Sequence, residues 1–412
     1  PEAVRRGLTD EAAIDRAAKR ILTLKFRRGL LENPYVAETG NYRTFTQQAY
    51  PQALTLAEHS LVLLKNEKTL LPLKKECRIG LTGPNADALY NQLGDYTPPV
   101  LPEKGITPRQ GLEALGANVV YAGDFPMFGD GEPRIPEVLT CLRDCDVLAA
   151  VLGGTSSRFG DCTFLENGAL GEQNRVIMDC GENVDCAGLR LPGGQLELLK
   201  ALHETGKPVI AVLIGGRPYA MEDIDRYADA ILCAFYPGPQ GGRVIARLLM
   251  GETEPAGRLC VSLPDTPGQL PVYYNGKDSY RPGAYCDRER PKYGFGSGLS
   301  GTQFAFAPLE IPTKEKRQLV LRVTNTGSRP GWTVPQLYLH RTQGITTSRI
   351  RQLCGFAKGR LAPQESRVFA IPIPERSLVQ WDPEERPVIP GGKIEWFLCD
   401  SGKDCLTGNF YL

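Results

Sequence analysis

A short segment near the middle of the chain carries three carboxylates, Asp179, Glu182 and Asp185, in the run Met178-Asp-Cys-Gly-Glu-Asn-Val-Asp185. Its glycine favours a loop. A carboxyl group on a loop can act as a general acid when burial or nearby charge raises its pKa. Spacing alone does not distinguish Glu182 from the other acidic residues, most of which are expected on the surface.

A second candidate loop is Gly153-Gly-Thr-Ser-Ser-Arg158, which follows an apolar run predicted to be a β-strand. In an open α/β sheet, ligands bind at the loops that follow the carboxyl ends of the strands. The hydroxyls of Ser156 and Ser157 and the guanidinium of Arg158 are suited to hold sugar hydroxyls or an anion. Spacing leaves a simple solvated turn equally open.

Other chemistries find less support in the motifs. Gly296-Ser-Gly-Leu-Ser-Gly301 matches a dinucleotide-binding pattern, but the strand-like run Thr302–Phe306 follows it where a helix is required. There is no Gly-x-Ser-x-Gly motif and no Cys-x-x-Cys pair, and three histidines are too few for a zinc-type cluster. We therefore expect no metal and no cofactor, and a nucleotide-binding protein is the weaker alternative.

The composition is that of a globular protein of two or three domains, with 412 residues of which 42% are hydrophobic. A net charge of +1 gives no basic footprint for nucleic acid. Apolar runs such as Val209–Ile214 fall far short of the roughly 20 residues that span a membrane. We expect neither nucleic acid nor membrane as a partner. Twelve cysteines in so long a chain favour a reducing bacterial cytoplasm; secretion stays open because the chain begins with Pro1.

Alternating strand and helix patterns must position the candidate loops. Five continuous apolar runs predict strands buried on both faces: Arg78–Gly83, Asn118–Ala122, Val147–Gly153, Val209–Ile214 and Ala230–Tyr236. Helical periodicity lies between or after them at Gln195–Thr205 and Gly241–Met250. This alternation predicts the α/β class, with a mostly parallel sheet sandwiched by helices.

The two ends of the chain have different patterns. Residues 10–31 have the periodicity of a helix that ends near Gly29, with a broad apolar stripe and no local partner. After residue 303, alternating patterns predict half-buried strands of an immunoglobulin-like β-sandwich, at Leu319–Val323, Gln336–His340, Arg367–Ile373 and Ile394–Leu398.

Ordered motifs run along nearly the whole chain. The strongest are Ala234-Phe-Tyr-Pro-Gly-Pro-Gln-Gly-Gly242, Pro255-Ala-Gly-Arg-Leu259 and Gln269-Leu-Pro-Val-Tyr-Tyr-Asn275. Others are Val62-Leu-Leu-Lys-Asn66, Gly83-Pro-Asn-Ala-Asp87 and Tyr293-Gly-Phe-Gly-Ser-Gly-Leu-Ser300, and, later, Val323-Thr-Asn-Thr-Gly327 and Leu353-Cys-Gly-Phe356. Together they resemble glycoside hydrolase family 3, and the last two resemble its fibronectin type III-like module.

The resemblance implies a domain order and a mechanism. Family members of this layout have a (β/α)8 barrel, an α/β sandwich domain and a fibronectin-like domain. They are retaining β-glycosidases with an Asp nucleophile on the barrel and a Glu acid/base in a C-G-E-G-x-D-R loop of the sandwich domain. The matching run is Cys180-Gly-Glu-Asn-Val-Asp-Cys186. The resemblance thus nominates Glu182 as the general acid/base, and Ser156, Ser157, Arg158 and Asp185 as substrate-binding residues.

The sequence departs from the family pattern at three positions. Asn183 replaces the loop glycine, Cys186 replaces the arginine after Asp185, and Gly301 stands where an aromatic residue is usual. Loss of an arginine beside the acid/base would shift the pKa of that carboxyl or remove an ion pair that orients it.

The resemblance also implies the domain boundaries. Residues 1–36 correspond to the last helix and exit segment of a barrel that the sequence does not include. No Ser-Asp-Trp motif and no Lys-His pair of the barrel's sugar pocket occurs. Residues 37–260 form the α/β sandwich domain with the acid/base loop, 261–302 an ordered connection, and 303–412 the fibronectin type III-like β-sandwich.

We therefore expect the C-terminal part of a retaining, exo-acting β-glycosidase, with β-glucosidase first and β-xylosidase next. It would contribute the acid/base and be inactive without the barrel. Its expected partners are a β-linked oligosaccharide or glycoside and the barrel polypeptide, from the same precursor or a second chain. A non-catalytic carbohydrate-binding or scaffolding protein is the alternative.

Overall fold

The computed structural model describes residues 2–35, 42–97, 100, 104–129, 132–157, 166, 178–182, 184–277 and 290–412. The chain divides into two units, Pro1–Pro51 and Gln52–Leu412. The first unit contains α1 (Glu2–Arg5), α2 (Glu11–Arg27) and the beginning of α3 (Tyr42–Ser60). Within the described ranges, no helix has the length and apolar character needed to cross a membrane.

Helix α2 has clear start and stop signals. The side chain of Asp10 accepts a hydrogen bond from the backbone N–H of Ala13 at the first turn. Gly29 follows the last turn with a φ of 65°, a left-handed conformation that closes the helix. The predicted end near Gly29 is confirmed. No residue of α2 is buried, and its apolar stripe, which includes Ile21 and Phe26, is exposed.

The second unit begins with a six-stranded sheet in the order β1-β6-β5-β4-β2-β3. Its strands are β1 (Val62–Asn66), β2 (Arg78–Thr82), β3 (Asn118–Tyr121), β4 (Val147–Gly153), β5 (Val209–Ile214) and β6 (Ala230–Phe235). The helices along the chain are α4 (Pro108–Ala114), α5 (Ile135–Cys141), α6 (Gln195–Glu204), α7 (Glu222–Tyr227) and α8 (Gly241–Leu249). All strand pairs are parallel except β1 with β6.

Burial of the central strands on both faces confirms the predicted α/β class. In contrast, β3 lies at the edge of the sheet, has no buried residue and is not the doubly buried strand that its apolar run predicts. All seven residues of β4 are buried, and successive side chains enter opposite cores. Leu148 and Leu152 pack in one core, while Val147 and Val151 pack in the other. The sequence patterns do not predict β1, because a short apolar run directly after a helix looks like one more helical turn.

An antiparallel β-sandwich completes the unit. Its strands are β7 (Phe304–Glu310), β8 (Gln318–Asn325), β9 (Gly331–Thr333), β10 (Gln336–Arg341), β11 (Gln352–Phe356), β12 (Gly359–Leu361), β13 (Ser366–Pro372), β14 (Gln380–Trp381), β15 (Pro387–Val388), β16 (Lys393–Asp400) and β17 (Lys403–Tyr411). Its larger sheets have the orders β11-β10-β16-β17 and β13-β8-β7. Alternate residues of β8, Leu319, Leu321 and Val323, enter the core, as predicted.

A buried ion pair joins the α/β domain to the β-sandwich. Nη2 of Arg258 lies 3.1 Å from Oδ1 of Asp400, and the two side chains are 6% and 5% exposed. The same Nη2 donates to Oγ of Ser300, and the Thr333 hydroxyl donates to Oδ2 of Asp400. Removal of either charge would leave the other buried without a partner.

Asp400→Ala is therefore expected to lower the free energy of unfolding by about 3–5 kcal/mol, measured by urea denaturation. Glu384→Ala, which breaks an exposed pair with Arg386, is the control and should cost less than about 1 kcal/mol. The double variant Arg258→Met/Asp400→Leu should recover most of the loss, because it leaves no unpaired charge. Equal losses for Asp400→Ala and the control would contradict a structural role for the pair.

A lysine near the same boundary is held with a depressed pKa. Lys358 donates from Nζ to the backbone carbonyl of His59 at 3.4 Å and lies 5.3 Å from the ring centroid of Trp332. Burial, with the cation of Arg258 as a smaller cause, lowers the pKa of Lys358 to about 8 from 10.5. Between these two pH values the unfolded chain binds more protons at Lys358 than the folded protein does.

Titration of Lys358 should therefore raise the free energy of unfolding as the pH rises from 8 to 10.5. We expect Lys358→Met to have a higher free energy of unfolding than wild type below pH 8. This difference should shrink by about 1 kcal/mol between pH 8 and pH 10.5, a modest change because the Lys358 side chain is only half-buried. Urea denaturation at a series of pH values measures the difference. Lys403→Met, at an exposed lysine, serves as the control. A difference that stays constant from pH 8 to 10.5 would rule out the depressed pKa.

Candidate active site

Loops from four parallel strands, β2, β4, β5 and β6, meet at the carboxyl-end edge of the sheet, where open α/β sheets bind ligands. Asn85, in the loop after β2, is fully buried there. Its amide donates to the carbonyls of Leu152 and Ile214 at 3.2 and 3.3 Å, and the Asn91 amide donates to its Oδ1 at 2.9 Å. One side chain thus ties together the ends of β2, β4 and β5.

Asp179 attaches the acidic loop, residues 178–188, to this edge of the sheet. It is 1% exposed, and its carboxylate accepts the backbone N–H of Thr155 at 2.8 Å and the hydroxyl of Tyr219 at 2.7 Å. Burial and the adjacent carboxylate raise the pKa of Tyr219, so its hydroxyl stays a donor. Any side chain at Gly154 would overlap the Asp179 carboxylate, so the close approach requires glycine.

Glu182 lies at the tip of a tight turn. The N–H of Val184 donates to the carbonyl of Gly181 at 3.2 Å, and the N–H of Glu182 donates to Oδ2 of Asp95 at 3.1 Å. A Cβ on Gly181 would lie 3.2 Å from that Oδ2 and 3.6 Å from Cβ of Ser156, so the turn packs closely on both loops. The Glu182 side chain is exposed. Its backbone is therefore held while its carboxyl group remains accessible.

Arg217, in the loop after β5, braces the other half of the acidic loop. Nη1 donates to the carbonyl of Asp179 at 3.1 Å, and Nη2 donates to those of Gly188 and Cys186 at 2.9 and 3.2 Å. Nη1 also lies 3.3 Å from Oδ1 of Asp185. The arginine is 12% exposed and the aspartate 86%. The sequence has no cation at position 186, but the cation of Arg217 reaches the acidic loop from the end of β5.

The predicted loop after β4 lies beside the turn. Ser156 and Ser157 are both buried, and the N–H of Ser157 donates to Oγ1 of Thr155 at 3.0 Å. The two hydroxyls therefore lie deeper than the exposed Glu182, and their part in sugar binding stays a prediction. Arg158 and Asn183 lie outside the described residues.

Two positioning residues, Asp95 and Arg217, were not singled out by the sequence patterns. Each is far from the acidic loop along the chain: 87 residues separate Asp95 from Glu182, and 31 separate Arg217 from Cys186. Arg217 could have been found by its place in Gly215-Gly-Arg-Pro218, just after the carboxyl end of β5. Asp95 has no comparable signal, because a long irregular segment separates it from β2.

Chemically, this edge presents an exposed carboxyl group on a turn whose backbone is held by hydrogen bonds to Asp95 and within the turn. Such a group can give a proton to a bound molecule and take one back. Across the described part of the chain, no group of three or more His, Cys, Asp or Glu side chains could hold a metal ion.

Comparisons with known proteins point to one family. Residues 61–301 match the glycosyl hydrolase family 3 C-terminal domain, and residues 333–401 match a fibronectin type III-like domain. The chain is 29% identical over its whole length to the periplasmic β-glucosidase of Salmonella typhimurium and 31% identical over 87% of its length to a β-xylosidase of Formosa agariphila.

Solved structures agree. The β-glucosidase EmGH1 of Erythrobacter marinus superposes over the whole chain with a TM-score of 0.85 and 31% identity. A Listeria innocua β-glucosidase in complex with isofagomine superposes over 99% of the chain with a TM-score of 0.85 and 28% identity. The chain spans about half the length of its curated relatives, 57% of the Salmonella protein and 50% of the Formosa protein. The chain belongs to glycoside hydrolase family 3 and carries the C-terminal domain of that family followed by a fibronectin type III-like domain.

Proposed function

We propose that this chain is the C-terminal part of a retaining, exo-acting β-glycosidase and that Glu182 is its general acid/base. The observation that carries the proposal is the exposed carboxyl group of Glu182 on a turn held by Asp95, Asp179 and Arg217. The names of its relatives support a terminal β-linked sugar as substrate, glucose first and xylose next.

A retaining glycosidase uses two carboxyl groups about 5 Å apart. One attacks the anomeric carbon, while the other protonates the departing glycosidic oxygen. The second group then removes a proton from the water that releases the sugar. In our proposal Glu182 performs both proton transfers, and the nucleophile comes from a barrel domain, on the same precursor or on a second chain. The chain by itself is then inactive.

The contacts around Glu182 suit a carboxyl group that must be protonated in one step and ionised in the next. The N–H of Glu182 donates a hydrogen bond to Oδ2 of Asp95, and this bond fixes the backbone beneath the exposed side chain. Arg217 places a cation on the same loop, 3.3 Å from Asp185. Loss of the arginine at position 186 motivates the alternative, a non-catalytic carbohydrate-binding protein. The cation supplied by Arg217 weakens that alternative.

Glu182→Gln is expected to lower kcat/KM about 10²–10⁴-fold for an aryl β-glucoside with a poor leaving group, in the protein that joins this chain to its barrel. The loss in the glycosylation step should be small for a dinitrophenyl β-glucoside, whose leaving group needs no proton. Azide should restore turnover of that substrate and give a β-glycosyl azide, because azide attacks the intermediate without a base.

The matched control is Glu197→Gln, at an exposed carboxylate in the first turn of α6. It should leave both substrates unaffected. Full activity of Glu182→Gln on the poor leaving group would overturn the acid/base assignment. Sugar binding without any hydrolysis by the joined wild-type protein would instead favour the non-catalytic alternative.

Arg217→Lys keeps the charge but loses the planar fork that reaches three backbone carbonyls. We expect kcat to fall about 10- to 100-fold, with a smaller change in KM, because the acid/base would be misplaced. If Arg217 acts through Glu182, the loss should be larger for poor leaving groups than for dinitrophenyl. Arg190→Lys, at an exposed position just after the acidic loop, is the control. An equal loss for both leaving groups would mean that Arg217 does not act through Glu182.

A further inference from the structure

A cavity of about 490 Å³ lies in the β-sandwich, away from the proposed active site. Leu339 and Ile394, from the neighbouring strands β10 and β16, form part of its lining. The other lining residues come mainly from two segments, residues 346–349 and residues 376–381. The volume falls within the range of cavities that bind small molecules.

The charged side chains among the described lining residues of this cavity are all of one sign. Its lining includes four cationic side chains and, among the described residues, no aspartate or glutamate: Lys277, Arg341, Arg349 and Arg376. Cations in proteins are usually paired with carboxylates when they leave the solvent. Lys277, Arg349 and Arg376 are exposed and keep their contact with solvent, whereas Arg341 is buried. For Arg341, the lack of a carboxylate among the described lining residues indicates an anionic occupant of the cavity.

Arg341 is the strongest indication. Arg341 is 8% exposed. Its guanidinium donates to the backbone carbonyls of Pro390 and Leu378, each at 2.8 Å. No described carboxylate forms an ion pair with it, and burial lowers its pKa. These two hydrogen bonds use two of the five N–H groups of the guanidinium. A buried guanidinium without a counter-ion is costly, and an anion in the cavity would remove that cost.

In the part of the chain that the structure describes, the other cations form no ion pair with a carboxylate. Nζ of Lys277 donates to the carbonyl of Thr347 at 3.1 Å, and Nη1 of Arg349 donates to that of Asn275 at 2.8 Å. Arg376 is exposed and has no hydrogen bond or ion pair with the described residues.

Carboxylates on the adjacent segments are engaged with cations outside the cavity. Glu375 lies 3.6 Å from Arg317, and Glu395 lies 2.7 Å from Lys393. Asp382, next to the cavity wall, forms its ion pair with Arg386. Each of these three carboxylates therefore has a cationic partner that does not line the cavity.

The remaining lining groups suit a sugar. Trp381 is 59% exposed although it lines the cavity, and an exposed indole offers a flat apolar face for a pyranose ring. Hydroxyl and amide side chains also line the cavity: Thr346, Thr347, Ser348, Gln352 and Gln380. These groups can donate to and accept from sugar hydroxyls.

We propose that this cavity binds a saccharide that carries a carboxylate group, with the guanidinium groups of Arg341 and Arg376 meeting the carboxylate and Trp381 stacking on a sugar ring. Planar guanidinium groups match carboxylates with paired hydrogen bonds. This site is separate from the proposed catalytic turn, and its occupation does not depend on the role of Glu182.

Isothermal titration calorimetry of the 412-residue chain with trigalacturonate, at low ionic strength, tests the proposal. The matched probe is the methyl ester of the same trisaccharide, which keeps the rings but not the charges. We expect the acid to bind at least tenfold more tightly than the ester and its affinity to fall as salt is added. A sulfated trisaccharide that binds more tightly than trigalacturonate would overturn the carboxylate assignment.

Two exposed residues allow variants that should not disturb folding. Arg376→Gln and Trp381→Ala are each expected to weaken trigalacturonate binding about tenfold. Arg322→Gln, which removes an exposed cation on β8 outside the cavity, should bind as wild type does. The proposal fails if trigalacturonate does not bind, if acid and ester bind equally, or if Arg376→Gln and Arg322→Gln behave alike.

Discussion

The buried carboxylate of Asp179 holds the acidic loop against the sheet, and the position of Glu182 depends on that contact. A carboxylate that leaves water must be compensated by hydrogen bonds, and here Thr155 and Tyr219 supply them from two different strand ends. The bare backbone of Gly154 makes room for it. Because all these groups are buried, the loop has few alternative arrangements that satisfy them.

The sheet beneath this contact makes it possible. Parallel strands end at one edge, so loops that are distant along the chain become neighbours there. Asn85 ties three strand ends together, and Arg217 reaches across from β5 to three carbonyls of the acidic loop. Support of this kind allows the exposed side chain of Glu182 to be presented in a defined place, while Asp179 and Asn85 beneath it are buried.

The pairing of buried charges differs among three regions of the second unit. At the sheet edge, the cation of Arg217 is balanced by Asp185, and Asp179 is satisfied by neutral donors. At the domain boundary, Arg258 is balanced by Asp400. In the cavity of the β-sandwich, the acceptors that the described residues offer Arg341 are backbone carbonyls. That imbalance separates the cavity from the other buried charges and is the basis for a ligand there.

The sequence by itself determined the α/β class, the five parallel strands and the β-sandwich, because continuous and alternating apolar runs report directly on burial. Its motifs also pointed to Glu182 through family resemblance. Three features were decided only by the tertiary structure: the antiparallel pairing of β1, the support of the acidic loop by Asp95 and Arg217, and the burial of Arg341 with backbone carbonyls as acceptors. These depend on which distant segments meet and on which polar atoms are left without partners, and local periodicity carries no information about either.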